Sequence, residues 1–418
     1  MGARAFPEGF LWGSAIAAHQ SEGNNTNTDW WEHEHAPDTN AAEPSGDAID
    51  SWHRFAEDWK LVADSGQNAV RFSIEWARVE PSPGVFSTEA IDHYREVIGT
   101  ARDLGLTTFV TMHHFVNPLW FARRGQWMEP ESVELLARYA RKVGETMGDL
   151  LQVVNTINEP QVVAAVGHAM GYFPPRMTDV GVAHRVTANL VKAHAAAQRA
   201  VRDTCDAQVG LPLSIMDFVA ADDSPASKQF RDLIHHLMVD VWIDALTDGW
   251  IRGLMVPDEE VPGLAGSDDF VGVQYYTKLE MDPDTLGMGI TSRPKPEDRV
   301  TQMGWVWHPA GLGAVLDEVA RIGIPVYVTE NGIATDDDAE RIEYVTLHLE
   351  QVHDAITRGV DVRGYFYWSI LDNFEWNEGY RPKFGLVAVD RETMERMPKP
   401  SLEWYGGVSR ANALDAPD

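Results

Sequence analysis

Eight short runs rich in β-branched and aromatic residues recur along the chain: Phe10–Ala17, Ala69–Ile74, Thr107–Met112, Leu151–Ile157, Gln208–Ile215, Phe270–Tyr276, Pro325–Thr329 and Gly364–Ile370. Most are separated by amphipathic or alanine-rich stretches, namely Ser51–Ser65, Thr88–Leu104, Pro130–Met147, Gly181–Asp203, Ser227–Thr247, Ala310–Ile322 and Asp338–Arg358. Near-continuous apolar strands need cover on both faces, which a parallel sheet with outer helices provides. Eightfold β/α alternation therefore predicts an α/β protein, a single (β/α)8 TIM barrel with residues 1–418 as one domain. An open doubly wound sheet shares the alternation, but no glycine-rich phosphate loop follows the first run. The Pro/Gly/Asp-rich segment Met281–Arg299 reads as a long loop after the sixth strand, and residues 410–418 as a frayed tail.

Polar and aromatic residues gather where the runs end: Gln20 and Glu22, Arg71 and Glu75, His113 and His114, Asn158 and Glu159, Gln274 and Tyr276, Glu330, and Trp368. In a barrel these ends form one face, where active sites sit. Two ends carry the sharpest signal. Leu151–Ile157 runs into Asn158-Glu159-Pro160, and Ile324–Val328 runs into Thr329-Glu330-Asn331-Gly332. Each delivers one carboxylate from a buried strand to a turn. The two are expected to face each other across a sugar.

Charge narrows the partners. With 34 Lys+Arg against 64 Asp+Glu the net charge is −30, which argues against nucleic acid or anionic lipid. The 15 tryptophans offer stacking faces for flat or C–H-rich ligands. Cys205 is alone, so no intramolecular disulfide is expected. The first residues lack the apolar core and small-residue cleavage site of a signal peptide, and no run approaches the roughly 18 apolar residues of a membrane span. A cytoplasmic location is the expectation.

Several motifs follow one another in a telling order. They are Phe10-Leu11-Trp12-Gly13-Ser14-Ala15 with Gln20 and Glu22-Gly23, Arg71-Phe72-Ser73-Ile74, His114, and Thr156-Ile157-Asn158-Glu159-Pro160. Then come Tyr275-Tyr276, Met303-Gly304-Trp305, Thr329-Glu330-Asn331-Gly332, and Trp368-Ser369-Ile370-Leu371-Asp372-Asn373-Phe374-Glu375-Trp376 continuing to Phe384-Gly385. Nearly end to end, the chain resembles family 1 glycoside hydrolases, the family of retaining β-glucosidases. It is somewhat short for that family, which implies trimmed loops.

The resemblance implies hydrolysis of terminal non-reducing β-glucosyl residues, with galactosyl and fucosyl as further candidates, through a covalent glycosyl-enzyme intermediate. It makes Glu330 the nucleophile and Glu159 the acid/base, with Arg71 and Tyr276 steadying the Glu330 anion. Chemistry agrees: retention requires two carboxyl groups roughly 5–5.5 Å apart, one ionised and one protonated. An ionised Glu330 is expected to raise the pKa of Glu159, and to lower it again once esterified. By similarity Gln20, His114, Asn158, Glu375 and Trp376 hold the sugar hydroxyls, and Trp368 forms a stacking floor. Gln274 and Phe384 join this binding set. Glu375 also opposes a phosphorylated sugar, since a carboxylate there would repel a dianion.

Three positions depart from the family pattern. Gln274 stands where Asn is common, Gln161 replaces a frequent aromatic at the aglycone entrance, and Asn117 departs from a common acidic pattern nearby. Trp305 and Trp307 are candidates for an aromatic rim there. The histidines of Trp31-Glu32-His33-Glu34-His35 and His235-His236 match no common zinc spacing, and the first segment reads as an exposed loop. Neither metal nor cofactor is expected; the partner is a small carbohydrate or an aryl or alkyl β-glycoside. Transglycosylation at the same site and a catalytically silent carbohydrate-binding barrel are the rival functions, and the presence of both glutamates opposes the second.

Overall fold

The computed structural model describes residues 4–285 and 294–414. Eight parallel strands close into a barrel: β1 (Leu11–Ala15), β2 (Ala69–Ser73), β3 (Thr107–His113), β4 (Val153–Ile157), β5 (Gln208–Ser214), β6 (Phe270–Gln274), β7 (Val326–Asn331) and β8 (Val362–Trp368). Closure is made by β8 against β1, from Gly364 opposite Leu11 to Trp368 opposite Ala15. Each expected run overlaps one of these strands, and β3, β7 and β8 extend one or two residues beyond theirs. Alternate side chains split the apolar core in two. Outward residues such as Val70, Val110, Val154, Val271 and Val328 join the helices in one large cluster, while Ala69, Phe109, Val153, Phe270, Tyr327 and Phe366 fill the barrel. Phe109 is the hub of that filling, with ring centroids 5.9 Å from Phe270, 5.1 Å from Tyr327 and 4.6 Å from Phe366. These rings form an aromatic plug inside the barrel.

Helices α1 (Ser51–Ser65), α2 (Thr88–Asp103), α3 (Ser132–Met147), α4 (Val180–Arg202), α5 (Pro225–His235), α6 (Val241–Asp248), α7 (Pro309–Val319) and α8 (Asp338–Arg358) lie where the amphipathic stretches predict them. The Ser87 hydroxyl caps α2 at Ala90 N, and Gly359 ends α8 in the left-handed conformation that a C-terminal glycine allows. The single helix expected over 227–247 is instead α5 and α6 joined through a π turn, His236–Asp240. None of the described helices is long and apolar enough to cross a membrane.

Other expectations are corrected. Residues 29–34 are a helix rather than an exposed loop, capped by the Thr28 hydroxyl at Trp31 N, and His33 is buried against Asn377. The expected loop Met281–Arg299 shares only Met281 with the strand Lys278–Met281, which pairs in parallel with Asp217–Ala220, and residues 286–293 of that loop lie outside the described residues. Nor does the tail fray at Arg410. Helix α9 (Pro400–Ala411) was not foreseen because Gly406-Gly407 weakens its helical pattern; Gly406 allows the close approach to α1, since a Cβ there would sit 1.8 Å from Ser65 O. Beyond it, Ala413–Leu414 pairs with Arg4–Ala5. Residues 415–418 lie outside the described residues.

Asn412 ties the two chain ends together. Its Oδ1 accepts from Trp12 Nε1 at 2.9 Å, its Nδ2 donates to Phe6 O at 2.9 Å and Pro7 O at 3.0 Å, and its φ of 48° suits asparagine better than most residues. Replacing it with alanine strands the buried Trp12 indole N–H. Asn412→Ala is expected to destabilise the protein by about 2–4 kcal/mol in urea unfolding, with no change in the shape of the active site.

Candidate active site

Four strands aim side chains at one point above the plug. On β2, Ala69 faces the barrel, so Arg71, two residues on, faces it as well. The same period carries Phe270 on β6 to Gln274, and onward to Tyr276. Strand β7 breaks the rule: Tyr327 faces inward, so strict alternation would turn Glu330 outward. Its pairing shifts register against both neighbours, between Val273 and Gln274 and between Val328 and Asn331. Such irregularities re-aim side chains, and here Glu330 reaches the pocket. Glu159 follows β4 with φ +41°, a left-handed conformation costly for a non-glycine residue. It is pinned there by its N–H to Pro212 O at 3.1 Å and by Pro160, whose fixed φ begins the short helix Pro160–Ala164.

Hydrogen bonds converge on Glu330. Arg71 Nη1 donates to Oε1, Gln274 Nε2 donates to the same oxygen at 3.0 Å, and the Tyr276 hydroxyl donates to Oε2 at 2.8 Å. The other Arg71 nitrogen donates to Asn158 Oδ1, which also accepts from Gln274 at 2.8 Å, while Asn158 Nδ2 lies 3.3 Å from His114 Nε2. The extra methylene of Gln274 therefore lets one amide bridge Asn158 and Glu330. Gln20 Nε2 donates to Phe374 O at 2.8 Å and reaches Glu375 Oε2 at 3.4 Å. His114 stands nearly parallel to both Trp368 and Trp376, at 6.0 and 6.1 Å.

Burial raises every carboxyl group here, but compensation is unequal. Glu159 is pushed well above the usual range by burial first and by Glu330 second, so burial rather than its neighbour is the main cause. Glu330 is also raised by burial, opposed by the Arg71 charge and by the Tyr276 and Arg71 hydrogen bonds. Of the two, Glu330 is therefore better able to carry a negative charge and Glu159 better able to keep its proton. Glu375 is raised to about 8, by burial and then by Glu330, so it is mostly protonated at neutral pH. The repulsion that a charged Glu375 would exert on a phosphate is accordingly weak. Burial and Arg71 hold His114 neutral.

These groups open into a pocket of about 920 Å³ lined by His114, Glu159, Tyr276, Trp305, Glu330, Trp368, Glu375, Trp376 and Phe384. Arg71, Asn158, Gln274 and Gln20 stand directly behind this lining through the bonds above. Gln20 Oε1 and His114 Nδ1 are buried without a protein partner among the described residues, a pattern suited to a polar ligand. Other strand-end residues serve elsewhere. Glu22 binds Arg78 and Tyr94, Glu75 accepts from Asn25, and His113 contacts Asn117. Asn117 also bonds Asp29, away from the pocket. Gln161 is buried against the Ser214 backbone and is not at the aglycone entrance. Trp307 lies under the Arg299 guanidinium at 3.6 Å and meets Tyr344 edge-on, off the rim that Trp305 joins. His235, Asp240 and Glu318 form a possible ligand trio, yet Arg321 already bonds both carboxylates, at 3.2 and 3.1 Å. Sequence reasoning missed the apolar wall of the pocket, including Val166, Met170, Met216, Met238 and Leu279, because scattered apolar residues on different loops carry no motif.

Residues 3–414 match the sequence profile of glycosyl hydrolase family 1. The chain belongs to that family. It is 34% identical to Beta-glucosidase A of Thermotoga maritima, with 99% of this chain and 100% of the relative covered. It is 31% identical to a bifunctional beta-D-glucosidase/beta-D-fucosidase of Bifidobacterium breve, covering 96% and 97%. Its fold superposes on a beta-glycosidase from Pyrococcus horikoshii with a TM-score of 0.92 at 38% identity, covering 99% of this chain and 97% of the other. This family 1 member is thus a glycoside hydrolase, and with Glu330 as the expected nucleophile the donors on it are expected to bear on its pH response. Removing the Tyr276 hydroxyl takes away a bond that favours the Glu330 anion, so the Glu330 pKa rises. Tyr276→Phe is expected to move the acidic limb of kcat/KM upward by about one pH unit, read from the pH profile of the free enzyme.

Proposed function

We propose that this retaining β-glycosidase removes terminal non-reducing β-glucosyl residues, tolerating galactosyl and fucosyl, with Glu330 as nucleophile and Glu159 as acid/base. The observation carrying this reading is the unequal treatment of two buried glutamates in one pocket: three donors meet Glu330, while Glu159 is raised well above the carboxylate range. Glu330 attacks the anomeric carbon as Glu159 protonates the departing oxygen. Esterification removes the Glu330 charge, and with it one cause of the raised Glu159 pKa. Glu159 then takes a proton from the water that attacks the glycosyl-enzyme bond, and Glu330 leaves as a carboxylate. Asn158, oriented by Arg71 and Gln274, is assigned to the sugar 2-hydroxyl, a bond that tightens in the oxocarbenium-like transition state. Gln20, His114, Glu375 and Trp376 are assigned to the remaining hydroxyls, with Trp368 as the stacking floor and Phe384 and Trp305 completing the wall.

The names of the relatives support glucose as the main sugar. An unphosphorylated sugar is favoured by the lining, in which neither Lys nor Arg occurs among the described residues. Substrate is taken as a small soluble β-glycoside, and the domain as one unit. A silent binding barrel would have no need of a protonated Glu159 beside a donor-held Glu330.

The test is replacement of each glutamate by alanine, assayed on an aryl β-glucoside. Both variants should lose more than roughly 10²-fold in turnover. Azide should restore Glu330→Ala with an α-configured product and Glu159→Ala with a β-configured one. Losses of only a few-fold, or identical azide products from both variants, would overturn the assignment.

A further inference from the structure

The pocket is much larger than one pyranose requires. Ligand sites for drug-sized molecules span about 300–1,000 Å³, and this one is near the upper end at about 920 Å³. Its two halves are built by different parts of the barrel. The hydroxyl-binding side chains come from the ends of β1, β3, β4 and β8, whereas the rest of the chamber follows β4, β5 and β6, on the side of Glu159. Under the reading above, that second half receives the leaving group.

Its walls are hydrocarbon and thioether. The segment after Glu159 contributes Val162, Ala165, Val166, Ala169 and Met170. Met216 and Phe218 follow β5, and Leu279 follows β6. Met238 closes the side from the turn between α5 and α6. Both π turns of the described chain, Ala165–Ala169 and His236–Asp240, fall on this wall, and π turns are frequent where helices are reshaped around a functional site. Methionine adds a flexible, polarizable surface that adapts to varied apolar shapes.

Several polar groups at the margin are already committed to the protein, while Thr178, also on the lining, is exposed. The Thr277 hydroxyl bonds Lys278 O at 3.1 Å and Val306 O at 2.9 Å. The Tyr172 hydroxyl donates to Glu378, whose other oxygen accepts from Arg381. Asn377 Nδ2 donates to Tyr172 O at 2.6 Å while its Oδ1 meets His33 at 2.9 Å. A second sugar brings several hydroxyls that need partners when they leave water. Among the described residues, this half of the chamber leaves them few.

We propose that the preferred leaving group is an apolar alcohol, a hydrocarbon-rich aglycone rather than a second sugar. The inference rests on the β-glucosidase reading and specifies the substrate class at the same site. The test compares n-butyl β-D-glucoside, n-octyl β-D-glucoside below its micellar range, and cellobiose, on the intact enzyme. Full burial of a methylene corresponds to about fourfold in affinity, so kcat/KM is expected to rise at least about tenfold from butyl to octyl and to exceed that for cellobiose by a similar factor. In the Met216→Gln/Met238→Gln double variant the octyl-to-butyl ratio should fall below about threefold, a ratio that is insensitive to the amount of folded enzyme. A flat alkyl series, or cellobiose cleaved as well as octyl glucoside, overturns the apolar-aglycone proposal while leaving the glucosidase reading intact. Failure to cleave any of the three overturns both.

Discussion

A carboxylate sealed from water stays ionised only where donors replace the lost solvation. That requirement, at Glu330, governs the architecture above the plug. Its guanidinium donor comes from β2, its amide from β6 and its phenol from just beyond β6, while Glu330 is the penultimate residue of β7. No two adjacent stretches of sequence could supply this set. A closed parallel barrel can, because its strand ends meet at one rim. The aromatic packing of Phe109 with Phe270, Tyr327 and Phe366 fills the barrel beneath.

The rim also holds its side chains in backbone conformations that they would not adopt freely. Phe115, Glu159 and Trp376 have φ values of 68°, 41° and 50°. All three line the pocket. Left-handed conformations in bulky residues persist only where surrounding structure over-determines them. For Glu159 that structure is the bond to Pro212 O and the following proline; for Trp376 it is packing against Trp30 and a parallel contact with His19, at 4.5 and 6.0 Å. His19 is in turn bonded to the buried Glu34 at 2.7 Å. The helix over 29–34 is therefore part of what positions the sugar side of the pocket, although no reading of its sequence indicated this.

The barrel was legible because its signal is repeated: eight apolar runs separated by helical stretches leave few other architectures. The carboxylates were legible because each stands where a run stops. What could not be read was direction. Alternation alone would have turned Glu330 away from the pocket, and the register shifts that correct it leave no mark in the residues of β7. Gln161 illustrates the converse: proximity in sequence to Glu159 suggested a place at the entrance, but the helix beginning at Pro160 turns it toward the Ser214 backbone. Helix α9 was hidden because its glycines, poor in a helix by propensity, are there for contact with α1. The apolar wall escaped for a different reason, since it is assembled from loops whose residues are unremarkable one at a time.

Charge balance in the pocket ties these features to the chemistry. Of the carboxyl groups that line it, Glu159, Glu330 and Glu375 are buried, and the guanidinium that meets them there is that of Arg71. In so desolvated a place one cation supports about one anion, and the bonds of Arg71 assign that anion to Glu330. Protons then remain on Glu159 and largely on Glu375. This is the distribution that the first step of a retaining reaction consumes: one nucleophile and one acid. With Glu330 as the proposed nucleophile, its charge disappears when the sugar bonds to it, while that of Arg71 does not. The nearby anion best able to restore the balance is Glu159, which has just surrendered its proton to the leaving group. Electroneutrality around a single buried arginine thus favours the exchange of roles between the two glutamates, without any movement of the barrel.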